Sequence, residues 1–234
     1  MGSGGCRHQS SARYHSLWQI SRSYNSICRP RSFLFSTKNT LKIYYERLPI
    51  DDSELRLYHK VFSTTESEDI FKTLKLKLDW QERRINLFGR EVASPRLSAW
   101  YGGRPYTYSG LTWPKRDMPR ELIRVQLEIE KITGYRFNTV LANLYRNGED
   151  SMGWHADDEP ELGLNPIIAS TVFGATRRFQ FRRKDNHRDK REVALTAGDV
   201  LIMGAACQTH WQHAVPKTKK QVGQRVNLTY RWIF

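Results

Sequence analysis

The spacing of apolar residues changes along this chain, from helical before residue 134 to alternating after residue 138. Ser63 and Glu66 stand at the two ends of a capping-box pattern, which predicts the first turn of a helix. The apolar face of this first helix is formed by Ile70, Phe71, Leu74 and Leu78. Their spacing of three and four residues is that of one helical stripe.

A second helix is predicted to begin near Pro119 and to end at Gly134, because proline opens helices and glycine closes them. Its apolar stripe consists of Leu122, Val125, Ile129 and Ile132. Between the two helices, residues 83–112 are predicted to be extended chain interrupted by glycines and prolines.

From Asn138 onward the period of two predicts β-strands, and it places Asn143 and Tyr145 on a common face. The predicted strands cover residues 140–145, 167–173, 177–182, 192–195, 199–203, 208–214 and 225–232. Helices followed by many short strands indicate a mainly β domain with flanking helices, either a sandwich or a jelly roll.

Charge separates the first 45 residues from the rest of the chain. Residues 1–45 contain seven Lys and Arg and no acid, although the whole chain has a formal net charge of +14. An Arg-rich, Ser-rich and acid-free segment is typical of a transit peptide, and a disordered basic arm is the alternative. The remaining domain is still basic, which is compatible with nucleic acid as a partner.

His155 and Asp157 are candidate metal ligands, because side chains two residues apart on extended chain point to the same side. Two histidines and one carboxylate can hold an iron and leave positions open for a co-substrate and oxygen. His210 and His213 both compete for the third position. On a strand they point to opposite faces, so only one of them can be a ligand; exposed histidines unrelated to a metal are the alternative.

The segment from Arg225 to Arg231 alternates polar and apolar residues. One face carries Arg225, Asn227, Thr229 and Arg231, and the other carries Val226, Leu228, Tyr230 and Trp232. Two buried arginines are costly unless anions pair with them, and a small dicarboxylate meets that need. An iron beside a dicarboxylate suggests a dioxygenase that uses Fe(II), 2-oxoglutarate and O2. The alternative is a polar outer face with both arginines in water.

Several motifs follow one another in a single order and closely resemble the AlkB family of nucleic-acid dealkylating dioxygenases, in particular its eukaryotic DNA-repair members. They lie at residues 143–145, 155–160, 166–170, 173–175, 211–213 and 225–231. The resemblance covers roughly residues 80–234. It implies a double-stranded β-helix, or jelly roll, of the 2-oxoglutarate dioxygenase type. With the basic leader over 1–45 set apart by its composition, we expect a dioxygenase domain of this family over 46–234, with a nucleotide-recognition region at 46–118 and a catalytic core at 119–234.

The resemblance also implies residue roles. It assigns the iron to His155, Asp157 and His213, which selects His213 over His210. It assigns 2-oxoglutarate to Asn143, Tyr145, Arg225, Thr229 and Arg231, with Asn227 nearby. Asp158 is implied to contact the damaged base, and Tyr106 and Tyr108 to border the base pocket. The segment with Phe88, Gly89 and Arg90 resembles a finger that fills the gap in duplex DNA after base flipping.

The function implied is oxidative demethylation of 1-methyladenine and 3-methylcytosine in DNA, with release of succinate, CO2 and formaldehyde. An RNA demethylase on the same scaffold is one alternative. A nucleic-acid-binding protein without turnover is the other, and it would not need the three ligands. The finger suggests duplex DNA, whereas the catalytic half resembles a subgroup that prefers single strands. We expect a monomer with no membrane association, located in a mitochondrion or other organelle, or alternatively in the nucleus.

Overall fold

The computed structural model describes residues 44–87, 90–108 and 111–234, and within these ranges the side chains of 85–87, 90, 106–108 and 111–112 are not described. The described strands, in chain order, are β1 (Glu46–Leu48), β2 (Ser53–Tyr58), β3 (Gln81–Leu87), β4 (Arg90–Gly102), β5 (Tyr106–Tyr108), β6 (Leu111–Trp113), β7 (Thr139–Tyr145), β8 (Met152–His155), β9 (Ile168–Gly174), β10 (Arg177–Arg183), β11 (Lys190–Leu195), β12 (Val200–Ala205), β13 (Trp211–Val215) and β14 (Arg225–Arg231). The helices are α1 (Thr64–Lys77), α2 (Arg120–Thr133) and α3 (Cys207–His210), with a 3-10 turn at Pro160–Leu162.

Two antiparallel sheets form the body of the fold. The larger has the order β1-β2-β12-β9-β14-β7-β4-β3, the smaller has the order β11-β10-β13-β8, and β5 pairs only with β6. One group of buried side chains joins the larger sheet to α1 and α2. A second group joins the inner faces of the two sheets. The helices and the smaller sheet therefore cover opposite faces of the larger sheet, which confirms the predicted mainly β fold with flanking helices.

Both faces of the central strands β7 and β14 are buried. Successive side chains therefore point alternately into two different cores, rather than alternately into a core and into solvent. Val226, Leu228 and Tyr230 face the helices. Arg225 lies beside Tyr145 and Asn227 beside Asn143 in the ladder between the two strands. Because paired residues point to the same side of a sheet, the polar set of both strands shares one face. That face points into the space between the sheets.

Both predicted helices are present, with the predicted end signals. The Ser63 side chain accepts from the Glu66 backbone N–H at 3.3 Å, and Glu66 accepts from the Ser63 N–H at 3.0 Å, so the capping box is complete. The second helix follows Pro119 and ends at Gly134, whose φ of 77° is the left-handed conformation that glycine adopts without strain.

Loss of the cap at Ser63 is expected to weaken the fold without touching the site. Ser63→Ala should lower the free energy of unfolding by about 1 kcal/mol, since the backbone N–H of Glu66 loses the hydroxyl that accepts its hydrogen bond. Urea denaturation measures this difference. Thr65→Ala, also exposed and in the same turn, is the control. An equal loss in both variants would contradict the capping argument.

The strand predicted at 208–214 is wrong in its first part. Residues 207–210 form the short helix α3, and β13 begins only at Trp211. Ala205, at the end of β12, has a left-handed φ of 50°, which turns the chain out of the sheet before α3. A single positive φ at an alanine has no sequence signature, so the alternating pattern alone suggested a continuous strand. The last strand, β14, ends at Arg231, one residue before its predicted end.

The sequence pattern did not identify β1, β2 or β8. Strand β2 extends the larger sheet by pairing with β12, and β8 forms one edge of the smaller sheet. None of the helices in the described ranges has the length and apolarity needed to cross a membrane.

Candidate active site

His155, Asp157 and His213 come together between the sheets. His213 lies on β13 opposite His155, the last residue of β8, and Asp157 follows two residues later. One ligand atom from each side chain lies within 4.8 Å of the others. Of the two competing histidines, His213 joins this cluster, whereas His210 ends α3.

Packing and hydrogen bonding hold the two imidazoles in place. Nδ1 of His155 donates to the Gly153 carbonyl oxygen at 2.9 Å, which fixes the tautomer with the proton on Nδ1. His213 stacks on Phe179, with ring centroids 5.3 Å apart and planes at 17°. Burial lowers the pKa of both histidines, to about 3 for His213, so both rings are neutral at physiological pH.

Asp157 is fully buried and ionised. Burial by itself would raise its pKa, but the charge and the hydrogen bond of Arg231 outweigh this and lower the pKa to about 2. Oδ1 accepts from Nη2 of Arg231 at 2.6 Å. The backbone N–H of Asp157 donates to Oε1 of Gln208 at 2.9 Å.

The remaining oxygen of Asp157 fits a cation. Oδ2 is buried and has no hydrogen-bond donor among the described residues. It lies 3.8 Å from Nε2 of His213, whose ring is neutral. A buried carboxylate oxygen without a donor is unfavourable unless a cation lies beside it. The donor set of two imidazoles and one carboxylate is the one that suits non-haem Fe(II).

Arg225 forms the second part of the site, at the other end of β14. Its guanidinium is completely buried; Nη2 donates to Oδ1 of Asn227 at 3.1 Å, and Nε and Nη1 have no acceptor in the described part of the chain. Its Cζ lies 5.1 Å from the centre of the Tyr145 ring. Burial lowers its pKa to about 10, so it remains charged at neutral pH. A buried cation with two donor nitrogens that lack an acceptor fits a carboxylate.

The two arginines therefore have different partners. Arg231 pairs with a carboxylate of the protein itself, and Nε and Nη1 of Arg225 have no acceptor among the described residues. Asn227 connects the face between them, since its Nδ2 donates to Ser170 Oγ and to Thr229 Oγ1, both at 3.2 Å. Eight of the predicted residues border one cavity: Asn143, Tyr145, His155, Asp157, His213, Asn227, Thr229 and Arg231.

Three buried polar residues of this region were not identified from the sequence. Arg96 and Ser98 of β4 both donate to Oδ1 of Asn143, at 3.0 and 2.8 Å. Gln208 of α3 holds the backbone of Asp157. Arg96 and Ser98 are two residues apart, as side chains on one face of a strand are, and this spacing is the signal in the sequence. The glycines and prolines of residues 83–112 predict only interrupted extended chain there.

Of the residues predicted to contact the base, some have side chains that the structure describes and others do not. Asp158 lies beside the cluster with its side chain 57% exposed, and Nζ of Lys184 lies 2.8 Å from its Oδ2. Phe88 and Gly89 lie outside the described residues, between β3 and β4. Arg90, Tyr106 and Tyr108 lie in described strands, but their side chains do not belong to the described part.

The fold and the cluster define a class of protein, a mainly β oxygenase with a two-histidine, one-carboxylate centre. Residues 54–231 match the 2OG-Fe(II) oxygenase superfamily. The structure is similar to that titled "The structure of OsALKBH1", with a TM-score of 0.58 and 16% identity over 81% of this chain and 100% of the other. This similarity confirms the jelly-roll fold.

Three sequence relatives narrow the family further than the superfamily match does. The chain is 42% identical to "Alpha-ketoglutarate-dependent dioxygenase alkB homolog 3" of Bos taurus, over 72% of this chain and 62% of that protein. It is 40% identical to the protein of that name in Homo sapiens, over 80% and 68% of the two chains. It is 39% identical to "DNA oxidative demethylase ALKBH2" of Homo sapiens, over 75% and 72%.

The chain therefore belongs to the 2OG-Fe(II) oxygenase superfamily and, within it, to the AlkB family. Its match spans less than two thirds of the length of the bovine relative. Membership confirms the cofactor set expected from the sequence, which is Fe(II), 2-oxoglutarate and O2.

Proposed function

We propose that this chain is an Fe(II)- and 2-oxoglutarate-dependent DNA dealkylase that demethylates 1-methyladenine and 3-methylcytosine. The observation that carries the proposal is the cluster of His155, Asp157 and His213, in which one buried carboxylate oxygen has no donor among the described residues. The name of the human relative ALKBH2, a DNA oxidative demethylase, supports DNA as the substrate.

Each residue of the cluster has a defined task in this proposal. The neutral rings of His155 and His213 and the Oδ2 of Asp157 hold the metal. Arg231 keeps the Asp157 carboxylate ionised and oriented. Phe179 fixes the ring plane of His213 by stacking. An iron held by these three side chains would supply, with 2-oxoglutarate and O2, the oxidation of the N-methyl carbon, which would be released as formaldehyde.

Arg225 binds the far carboxylate of 2-oxoglutarate, with Tyr145 against its guanidinium and Asn227 and Thr229 along the same face. Asn143 borders the same cavity and is held by Arg96 and Ser98. Because these groups are buried, the co-substrate is bound out of water, where charge-assisted hydrogen bonds are strong.

The base must leave the helix to reach such a buried centre. Tyr106, Tyr108 and His155 border the base in this proposal, and stacking of this kind contributes about 1–3 kcal/mol per base. N1-methyladenine and N3-methylcytosine are cationic, and Asp158 is the acid that attracts them. Lys184 already pairs with Asp158, so a cationic base would take the place of the ammonium group.

Phosphate contacts are assigned to the basic hairpin, defined as β10, β11 and the turn between them. Its exposed or half-exposed cations are Arg178, Arg182, Arg183, Lys184, Arg188, Lys190 and Arg191. Arg177 does not belong to this surface, because it is buried and donates to backbone carbonyls, among them those of Asn147, Asp150 and Pro216. Exposed cations of this kind position a nucleic acid without reading its sequence.

Turnover on a methylated oligonucleotide tests the function. We expect succinate and formaldehyde to be released from DNA containing 1-methyladenine when Fe(II) and 2-oxoglutarate are present. His155→Ala should abolish release, because a metal ligand is lost, and should keep most of the DNA binding, because the proposed phosphate contacts of the basic hairpin remain. Binding without turnover by the wild type would favour the nucleic-acid-binding protein, and faster turnover on RNA would favour the RNA demethylase.

Strand preference depends on the proposed finger at Phe88, Gly89 and Arg90. We expect Phe88→Ala to lose activity selectively on duplex DNA, because a single strand leaves no gap to fill. Product formation on matched single-stranded and double-stranded substrates measures this. An equal loss on both substrates, or none on either, would show that the finger assignment is wrong.

The leader at residues 1–45 lies outside the described residues, apart from Tyr44 and Tyr45. Its composition supports the proposal that it directs the protein to a mitochondrion or another organelle. A fluorescent fusion of residues 1–45 should then be organellar. A diffuse or nuclear signal would remove this proposal.

A further inference from the structure

Gln208 lies beneath the metal cluster, on the inner side of α3. The chain leaves β12 through the left-handed Ala205 and forms the single turn of α3, which carries Gln208 into the interior. Only 1% of Gln208 is exposed. A buried amide needs hydrogen-bond partners for both of its ends, and here both ends have one.

The orientation of this amide is determined by its two partners. Oε1 accepts from the backbone N–H of Asp157 at 2.9 Å, and Nε2 donates to Sδ of Met203 at 3.8 Å. In the reversed orientation Nε2 would face the Asp157 N–H, which is a donor against a donor. Gln208 is therefore held in one state, with its oxygen toward Asp157.

Asp157 needs this support because it lies beyond the end of β8, at His155. No strand ladder fixes its backbone, whereas His155 and His213 are paired with each other across β8 and β13. Arg231 holds the carboxylate through Oδ1, and Gln208 holds the backbone N–H. A carboxylate held only at its oxygen could still move with its backbone.

Gln208 also lies five residues before His213, on the segment that leads into β13. One side chain thus connects the segment that carries Asp157 to the segment that carries His213. A residue that hydrogen-bonds to a metal ligand orients that ligand. Replacing such a residue commonly lowers metal affinity by about 10–100-fold.

We propose that Gln208 is a positioning residue, which sets the distance of the Asp157 carboxylate from the two imidazoles through its hydrogen bond to the Asp157 backbone. The inference rests on the proposed function, because it takes the cluster to be a divalent metal site. Gln208 itself contacts neither the metal nor the co-substrate.

Cobalt binding to the metal-free protein tests this inference. Co(II) is titrated into the wild type and Gln208→Met, which has a side chain of similar length without the oxygen acceptor, and its visible absorption reports the coordination geometry. We expect the Kd of Gln208→Met for Co(II) to rise about 10-fold or more, with a changed spectrum. Thr209→Val is the matched control, because it removes an exposed hydrogen bond to Asn165 from the same helix.

A thermal unfolding curve of each metal-free variant accompanies the titration. If Gln208→Met unfolds at a lower temperature but binds Co(II) with the wild-type Kd and spectrum, Gln208 is only structural and the inference is wrong. If the wild type binds no Co(II), the proposed function is overturned as well. Should Gln208→Met not fold, amide exchange in the wild type decides, since a rapidly exchanging Asp157 N–H is incompatible with the proposed hydrogen bond.

Discussion

Asp157→Asn is expected to abolish metal binding and, separately, to destabilise the metal-free protein. The buried pair of Asp157 and Arg231 loses its negative charge, while the guanidinium stays 2% exposed. Removing one partner of a buried ion pair costs about 3 kcal/mol or more. Metal affinity should fall by more than about 100-fold, since a ligand contributes at least as much as the residues that orient it.

The double variant Asp157→Asn, Arg231→Met separates these two effects. It should regain most of the lost free energy of unfolding, because the buried positive charge is removed as well. It should not regain Co(II) binding, because the carboxylate ligand is still absent. Urea denaturation and Co(II) titration of both variants give the two quantities. Recovery of metal binding in the double variant would show that Asp157 is not a ligand.

Arg225→Met is expected to abolish the response to 2-oxoglutarate while leaving the ligand-free fold intact. Its guanidinium is fully buried, and two of its N–H groups have no acceptor within the described residues. Breaking a buried pair with the far carboxylate costs about 3 kcal/mol, which corresponds to a rise of about 100-fold in the KM for 2-oxoglutarate.

The ligand-free variant should be as stable as the wild type or more stable, because unused buried N–H groups are themselves costly. The measurement is the shift in Tm caused by 2-oxoglutarate in the presence of Mn(II), which should be large in the wild type and absent in Arg225→Met. Arg178→Met, an exposed arginine 3.5 Å from Glu192, is the control. A wild-type shift in Arg225→Met would place the co-substrate elsewhere.

The sequence predicted most of the elements from local information. Helix α1 follows from a capping box and an apolar stripe, and α2 follows from a proline, a stripe and a glycine. These signals act within a few residues of the chain, so they can be read without the fold. The prediction at 208–210 was wrong for the corresponding reason, because the left-handed conformation of Ala205, which redirects the chain, has no signal in the local sequence.

Local patterns likewise predicted only part of the arrangement of the candidate site residues. Alternation along β14 placed Arg225 and Arg231 on one face, and the structure has them there. Alternation could not say that Arg231 pairs with Asp157, 74 residues away, while Nε and Nη1 of Arg225 have no acceptor among the described residues. Nor did it reveal Arg96 and Gln208, which act through partners 47 and 51 residues away.

By itself, the sequence determined the two main helices, most of the strands, the polar face of β14 and, through family resemblance, the cofactors. The tertiary structure decided which groups meet: His155 and His213 across β8 and β13, Asp157 against Arg231, and Gln208 beneath Asp157. The physical reason is that periodicity fixes the direction of a side chain relative to its own strand. The partner that it meets, and hence its charge state, depends on strand pairing and burial across the whole fold.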